Sequence, residues 1–126
     1  MVVLGSTDLA DRTAEARLEA SYRLVDEALG VGLKRSDLAL EVRTIASMDA
    51  PLLLEETLRS ITLLKAELNL PLLVPISQVS RSRLVHGWSN AYYAACAIDR
   101  GADLLLANPS QREVMGIVQA ANELRI

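Results

Sequence analysis

Residues 38–76 read LALEVRTIASMDAPLLLEETLRSITLLKAELNLPLLVPI. Two short apolar runs, Leu38–Val42 and Leu72–Ile76, bracket a stretch in which Leu54, Leu58, Ile61, Leu64 and Leu68 recur at helical spacing. Asp49 is placed to cap that helix, and Pro51 falls in its first turn, where a missing N–H costs nothing. A strand, an amphipathic helix and a second strand in this order predict a parallel βαβ unit.

The pattern repeats on both sides of this stretch. Val2–Gly5 reads as a strand, followed by a helix carrying Ala14, Leu18, Tyr22, Val25 and Leu29, with Gly30 as its stop. A third helix, from about Trp88 to Arg100, contains the small-residue run Ala94-Ala95-Cys96-Ala97 and ends at Gly101. Leu104–Ala107 is the fourth strand. Asn108 then caps a fourth helix, with Pro109 behind it and Val114, Ile117, Val118, Ala121 and Leu124 along one stripe. Four strand–helix units of roughly 30 residues each fill the 126 residues. Eight such units, about 250 residues, make a TIM-type (β/α)8 barrel. The expected fold is therefore α/β, a single half-barrel (β/α)4 domain over residues 1–126.

Half a barrel cannot bury its own inner sheet face. Parallel sheets are covered on both sides, whereas right-handed crossovers between strands kept in barrel order put every helix on one side. Three solutions follow. Two copies close one eight-stranded barrel, a different half-barrel completes it, or the strands adopt a doubly wound order instead. The first needs no other partner and uses the two-fold symmetry commonest among oligomers, so a homodimer is expected. Val74, taken as an inner-face residue, is then a position where a change to Asp breaks the dimer.

Composition narrows the function classes. The formal net charge is −3 and the 13 Lys and Arg residues are scattered, which argues against a nucleic-acid surface. One cysteine, Cys96, excludes an intramolecular disulfide and suits a reducing cytoplasm. No apolar run reaches a membrane-spanning length, and no basic leader precedes the opening strand, so a soluble, cytoplasmic protein is expected. With no Phe and 51% hydrophobic residues, the core has to be built from aliphatic side chains. One histidine, His86, and one cysteine supply no zinc site, and no bound metal is expected. His86 reads as a loop residue, Trp88, Tyr92 and Tyr93 as packing residues, and Cys96 as an inert buried thiol. Arg81 and Arg83, beside Ser80 and Ser82, read as a solvated loop that could also bind a phosphate or a carboxylate tail.

Barrel ligands sit at the carboxyl ends of the strands. There the first strand runs into Asp8, and the second places Ala39, Glu41 and Arg43 on one face with Leu38, Leu40 and Val42 on the other. The third runs into Ser77, Gln78 and Ser80, and the fourth into Asn108. These residues could line a polar mouth that hydrogen-bonds a flat heterocycle or an anion. The plainer alternative is that Glu41 and Arg43 form a structural ion pair.

The stretch from Gly32 to Glu41 (GLKRSDLALE), the helix from Leu52 to Leu68, the segment Leu72-Leu73-Val74-Pro75-Ile76-Ser77-Gln78-Val79-Ser80, and Tyr92–Ile98 with Gly101–Asn108 resemble the pterin-binding domain of cobalamin-dependent methyltransferases. That group includes the folate domain of methionine synthase and the methyltetrahydrofolate:corrinoid protein methyltransferases. The resemblance covers nearly the whole chain but only the C-terminal half of the family domain, with Val2–Asp8 matching its fifth strand. It implies a barrel that holds methyltetrahydrofolate in its mouth and passes the methyl group to a cobalamin carried by a separate corrinoid protein. The family's pterin-gripping Asp falls at Glu41, and the Asn of its Ser-Asn-Val-Ser motif falls at Gln78 within Ser77-Gln78-Val79-Ser80. Both positions are thus longer by one methylene. On this resemblance Glu41 and Gln78 are the catalytic residues, and Asp8, Arg43, Ser77, Ser80 and Asn108 complete the binding site. The competing expectation is a non-catalytic half-barrel, natural or engineered, whose role is self-association into a closed barrel.

Overall fold

The computed structural model describes residues 1–5, 12–43, 51–76 and 86–124. The elements run β1 (Val2–Leu4), α1 (Ala14–Gly30), a 3-10 turn (Arg35–Asp37), β2 (Leu38–Glu41), α2 (Pro51–Leu68), β3 (Leu72–Pro75), α3 (His86–Arg100), β4 (Leu104–Leu106) and α4 (Arg112–Leu124). The four strands form one sheet in the order β1-β2-β3-β4, every pair parallel. This is the strand order of consecutive barrel units, and it replaces the doubly wound alternative.

The described helices all pack on one side of that sheet. Leu38, Leu40 and Val42 around β2 and Leu72 and Val74 of β3 meet Val25 and Ala28 of α1, Ile61, Leu64 and Leu68 of α2, and Tyr93 and Ala97 of α3. A second cluster joins α4 to α3 through Val114, Ala91 and Ala94. Tyr93 is the only aromatic side chain among the described core residues, so the aliphatic composition is expressed as an aliphatic core. None of the described helices lies on the opposite side of the sheet. That side presents Val3, Ala39, Glu41, Leu73, Pro75, Leu104 and Leu106; Val3, Leu104 and Leu106 are 42%, 41% and 63% exposed, Glu41, Leu73 and Pro75 are half-buried, and Ala39 is buried. Val74, by contrast, is fully buried against the helices. It belongs to the helix side, and Leu73 and Pro75 are the β3 residues on the open side.

The helix ends show which residues do the stopping. Thr13 caps α1 by accepting the Ala16 N–H on its hydroxyl at 3.1 Å. At its other end the left-handed residue is Gly32 (φ 101°), not Gly30, and the Leu33 N–H returns to the Ala28 carbonyl at 3.1 Å. Gly101 (φ 122°) ends α3 in the same way, as read from the sequence. α3 begins at His86, so this residue opens a helix and does not lie in a loop. α4 begins at Arg112, four residues beyond Asn108, because Asn108-Pro109-Ser110-Gln111 close a turn of their own through the Gln111 N–H and the Asn108 carbonyl (3.1 Å). The cap assigned to Asp49 lies outside the described residues.

The stripe read for α2 holds, with Ile61, Leu64 and Leu68 buried and Leu54 and Leu58 packed against the core. That of α1 is rotated. Ala14, Ser21, Val25 and Ala28 are the buried positions, while Tyr22 and Leu29 are each 42% exposed. Tyr22 turns along the helix layer and its hydroxyl reaches Glu67 of α2 at 3.4 Å.

Candidate ligand site at the carboxyl ends of the strands

Because the strands are parallel, their carboxyl ends share one rim of the sheet, and Glu41 is the charged residue that β2 delivers there. Residues 41 and 43 of an extended segment fall on the same face, and the Arg43 Nε donates to Glu41 Oε1 at 2.7 Å. The Glu41 side chain is 21% exposed and that of Arg43 59%, so the carboxylate is set into the surface and the guanidinium lies over it. Gly5, one residue beyond β1, makes room for this arrangement. A Cβ at Gly5 would stand 3.3 Å from Glu41 Oε2. The ion-pair reading of Glu41 and Arg43 is therefore realised, with one oxygen of Glu41 committed to Arg43 and the other beside a backbone that carries no side chain.

Asn108 is held apart from this pair. Its Oδ1 accepts the Ser110 N–H at 2.9 Å and the Ser110 hydroxyl at 2.8 Å, so its acceptor serves the turn before α4. The register sets Glu41 in line with Leu73 and then Leu104, two strands away and four residues short of Asn108. At strand spacings that is about 10 Å across and about 13 Å along. Glu41 and Arg43 are brought together; Asn108 forms a separate polar point on the same rim. Asp8, Ser77, Gln78 and Ser80, together with Arg81 and Arg83, lie outside the described residues.

Two features of the helix layer went unread in the sequence. Trp88 (66% exposed) and Tyr92 (75% exposed) do not pack in the core. With half-buried Cys96 they stand one helical turn apart on α3, and with Leu54 and Leu58 of α2 they line a groove of about 390 Å³. Only Tyr93 packs as expected. The signal lay in the alanines, since Ala91, Ala94 and Ala97 occupy the buried stripe and leave 88, 92 and 96 on another. The second feature is a polar clasp between helices. Glu56 of α2 accepts the Ala14 N–H at 2.8 Å and pairs with Arg59, which also donates to Glu15 of α1 at 2.5 Å. The Ala14 N–H and then Arg59 hold the Glu56 carboxyl below its ordinary range. For Glu15 its own backbone N–H and then Arg59 do the same.

Among the described residues no cluster of three His, Cys, Asp or Glu side chains is placed to hold a metal ion, and no helix is long and apolar enough to cross a membrane. Neither a protein-family model nor a curated protein matches the chain.

Proposed function

We propose that this chain is a half-barrel whose open sheet face is closed by a second copy, and whose mouth binds a pterin of the methyltetrahydrofolate class. One observation carries the reading. A sheet in barrel order, with every described helix on one side and Val3, Leu104 and Leu106 exposed on the other, ends in a recessed carboxylate at the rim where barrel ligands bind. The amino-pyrimidinone edge of a pterin offers two adjacent N–H donors, and a carboxylate is the side chain that accepts both in one plane. Glu41 takes that role, with Arg43 turning outward as the ring enters. Gln78, at the position where the resemblance places an amide near the reacting nitrogen, stabilises positive charge as N5 is protonated. The methyl acceptor is a cobalamin on a separate corrinoid protein, in a reducing cytoplasm.

A second reading, assembly without catalysis, is favoured by the Arg43–Glu41 pair itself, which gives one carboxylate oxygen a structural partner. Calorimetric titration with methyltetrahydrofolate, at a measured oligomeric mass, separates the two. Heat with a defined stoichiometry, lost in Glu41→Gln, supports the pterin site. A folded dimer that evolves no heat leaves the assembly role alone.

A further inference from the structure

The open face of the sheet carries more than apolar area; its register contains a count. Val3 stands opposite Ala39, Leu40 opposite Leu72, and Leu73 opposite Leu104. Continued along the same rows, Ala39 faces Pro71 and Pro71 faces Ala102. The row that starts at the middle of β1 therefore arrives three residues before Leu105, the middle of β4. Three pairings have produced a slip of three residues. An eight-stranded barrel with a shear of eight slips by one residue per strand. The four strands already have the stagger of a barrel that returns to its starting register after eight.

That slip also sorts the inward residues into tiers. Ala39 and Leu104 share the lowest, Val3 and Leu73 the next, Glu41 and Leu106 the third, and Gly5 with Pro75 the rim. Each tier draws from alternate strands, β2 with β4 and β1 with β3. A closed barrel fills its interior with tiers of four side chains taken from alternate strands. Every tier here is half of one.

We infer that a second copy closes the sheet by pairing β4 of each chain with β1 of the other, with Leu106 opposite Val3 of the second copy. The inference rests on the half-barrel reading above and specifies its interface. Residues paired across parallel strands point to the same side of the sheet, so the registers that overlap the strands or lie one step beyond β4 set Val3 opposite Leu104, Leu106 or Asn108. Those registers give the finished barrel shears of four, eight and twelve. Only the second continues the slip of one residue per strand. An unrelated half-barrel would have to reproduce both the slip and the tiers, whereas a second copy carries them already. Two-fold closure puts both Glu41 carboxylates, each with its own Arg43, in one tier beneath a shared rim, so the ligand site is incomplete without the second chain.

Disulfide trapping in a Cys96→Ser background tests the register. Within one chain β1 and β4 are separated by β2 and β3, about 14 Å, which is beyond disulfide reach, so any bond formed must join two chains. A chain carrying Val3→Cys and Leu106→Cys is expected to give a covalent dimer on mild oxidation, at least tenfold more than one carrying Val3→Cys and Leu104→Cys. Mixing the two single variants, Val3→Cys with Leu106→Cys, repeats the test without a doubly substituted chain. The mass of the unsubstituted chain by light scattering is read alongside. A two-chain mass with the Leu104 pair trapped preferentially, or with neither pair trapped, overturns the register but not the half-barrel reading. A monomer, or an open series of larger assemblies, overturns both.

Discussion

Placing the same aspartate on the two faces of this sheet should produce two different failures. Val74 is fully buried against the helices, and Leu106, on the neighbouring strand, is 63% exposed. Val74→Asp loses the whole burial of a valine and leaves a carboxylate without a partner, together about 4 kcal/mol or more. Against a domain stability of about 5–15 kcal/mol that is a large share of the total and brings the unfolding midpoint well down. Leu106→Asp removes little that the single chain has already buried. What it removes is the remaining three-fifths of a leucine's burial on closure, about 1–2 kcal/mol for each copy. Two copies lose about 2–4 kcal/mol, which is about 30- to 1,000-fold in dimer dissociation constant, before any cost of the buried charge is added. Urea unfolding followed by circular dichroism and sedimentation equilibrium read the two quantities separately. Expected are an early unfolding midpoint for Val74→Asp and, for Leu106→Asp, native helicity at a monomer's mass. A Leu106→Asp chain that unfolds like Val74→Asp, or that associates as tightly as the unsubstituted chain, refutes the assignment of faces.

Two further outcomes follow from local geometry. Gly101 adopts a φ of 122°, and a Cβ there would stand 3.0 Å from the Lys65 Cγ, so Gly101→Ala is expected to cost about 1–2 kcal/mol in denaturant unfolding, while Ala at Gly30, with open space around it, is neutral or stabilising. Glu56 and Glu15 have carboxyl groups held below their ordinary value of 4.5, first by backbone N–H groups and then by Arg59. A lowered folded value means that this clasp contributes fully above pH 4.5 and is lost as the pH falls through the folded values below it. The stability curve of Glu56→Gln should therefore be flatter on its acid side, and an acid limb as steep as that of the unsubstituted chain would show that the α1–α2 clasp is not the titrating element.

Much of the fold was legible because its signals are local. The period-3.6 leucines of α2, Pro51 at its start and Gly101 at the end of α3 act within a few residues of themselves, and the structure keeps these. β2 could be oriented from sequence because Glu41 and Arg43 mark one of its faces. β3 could not, since Leu72, Leu73, Val74 and Pro75 are apolar on both faces and leave nothing to separate inside from outside. The same ambiguity let the α1 stripe be read one way and fold another, and let Trp88 and Tyr92 be read as packing residues when they are exposed. A helix with apolar residues on several sides takes its buried face from whichever neighbour arrives, and the small alanines of α3 permit the closer approach.

Of the candidate site, the sequence reached the Glu41–Arg43 pair, because two residues spaced by two in a strand must share a face. That Asn108 serves a turn of its own, and that Gly5 clears space for Glu41, depended on loops and a neighbouring strand that no local pattern describes. Composition and periodicity alone determined the element types, their order and an aliphatic interior. Tertiary structure decided the strand order, the sidedness of β3 and a slip that averages one residue per strand. The division is physical: propensity and periodicity belong to a single segment, whereas burial and register belong to pairs of segments and exist only once the pairs have met.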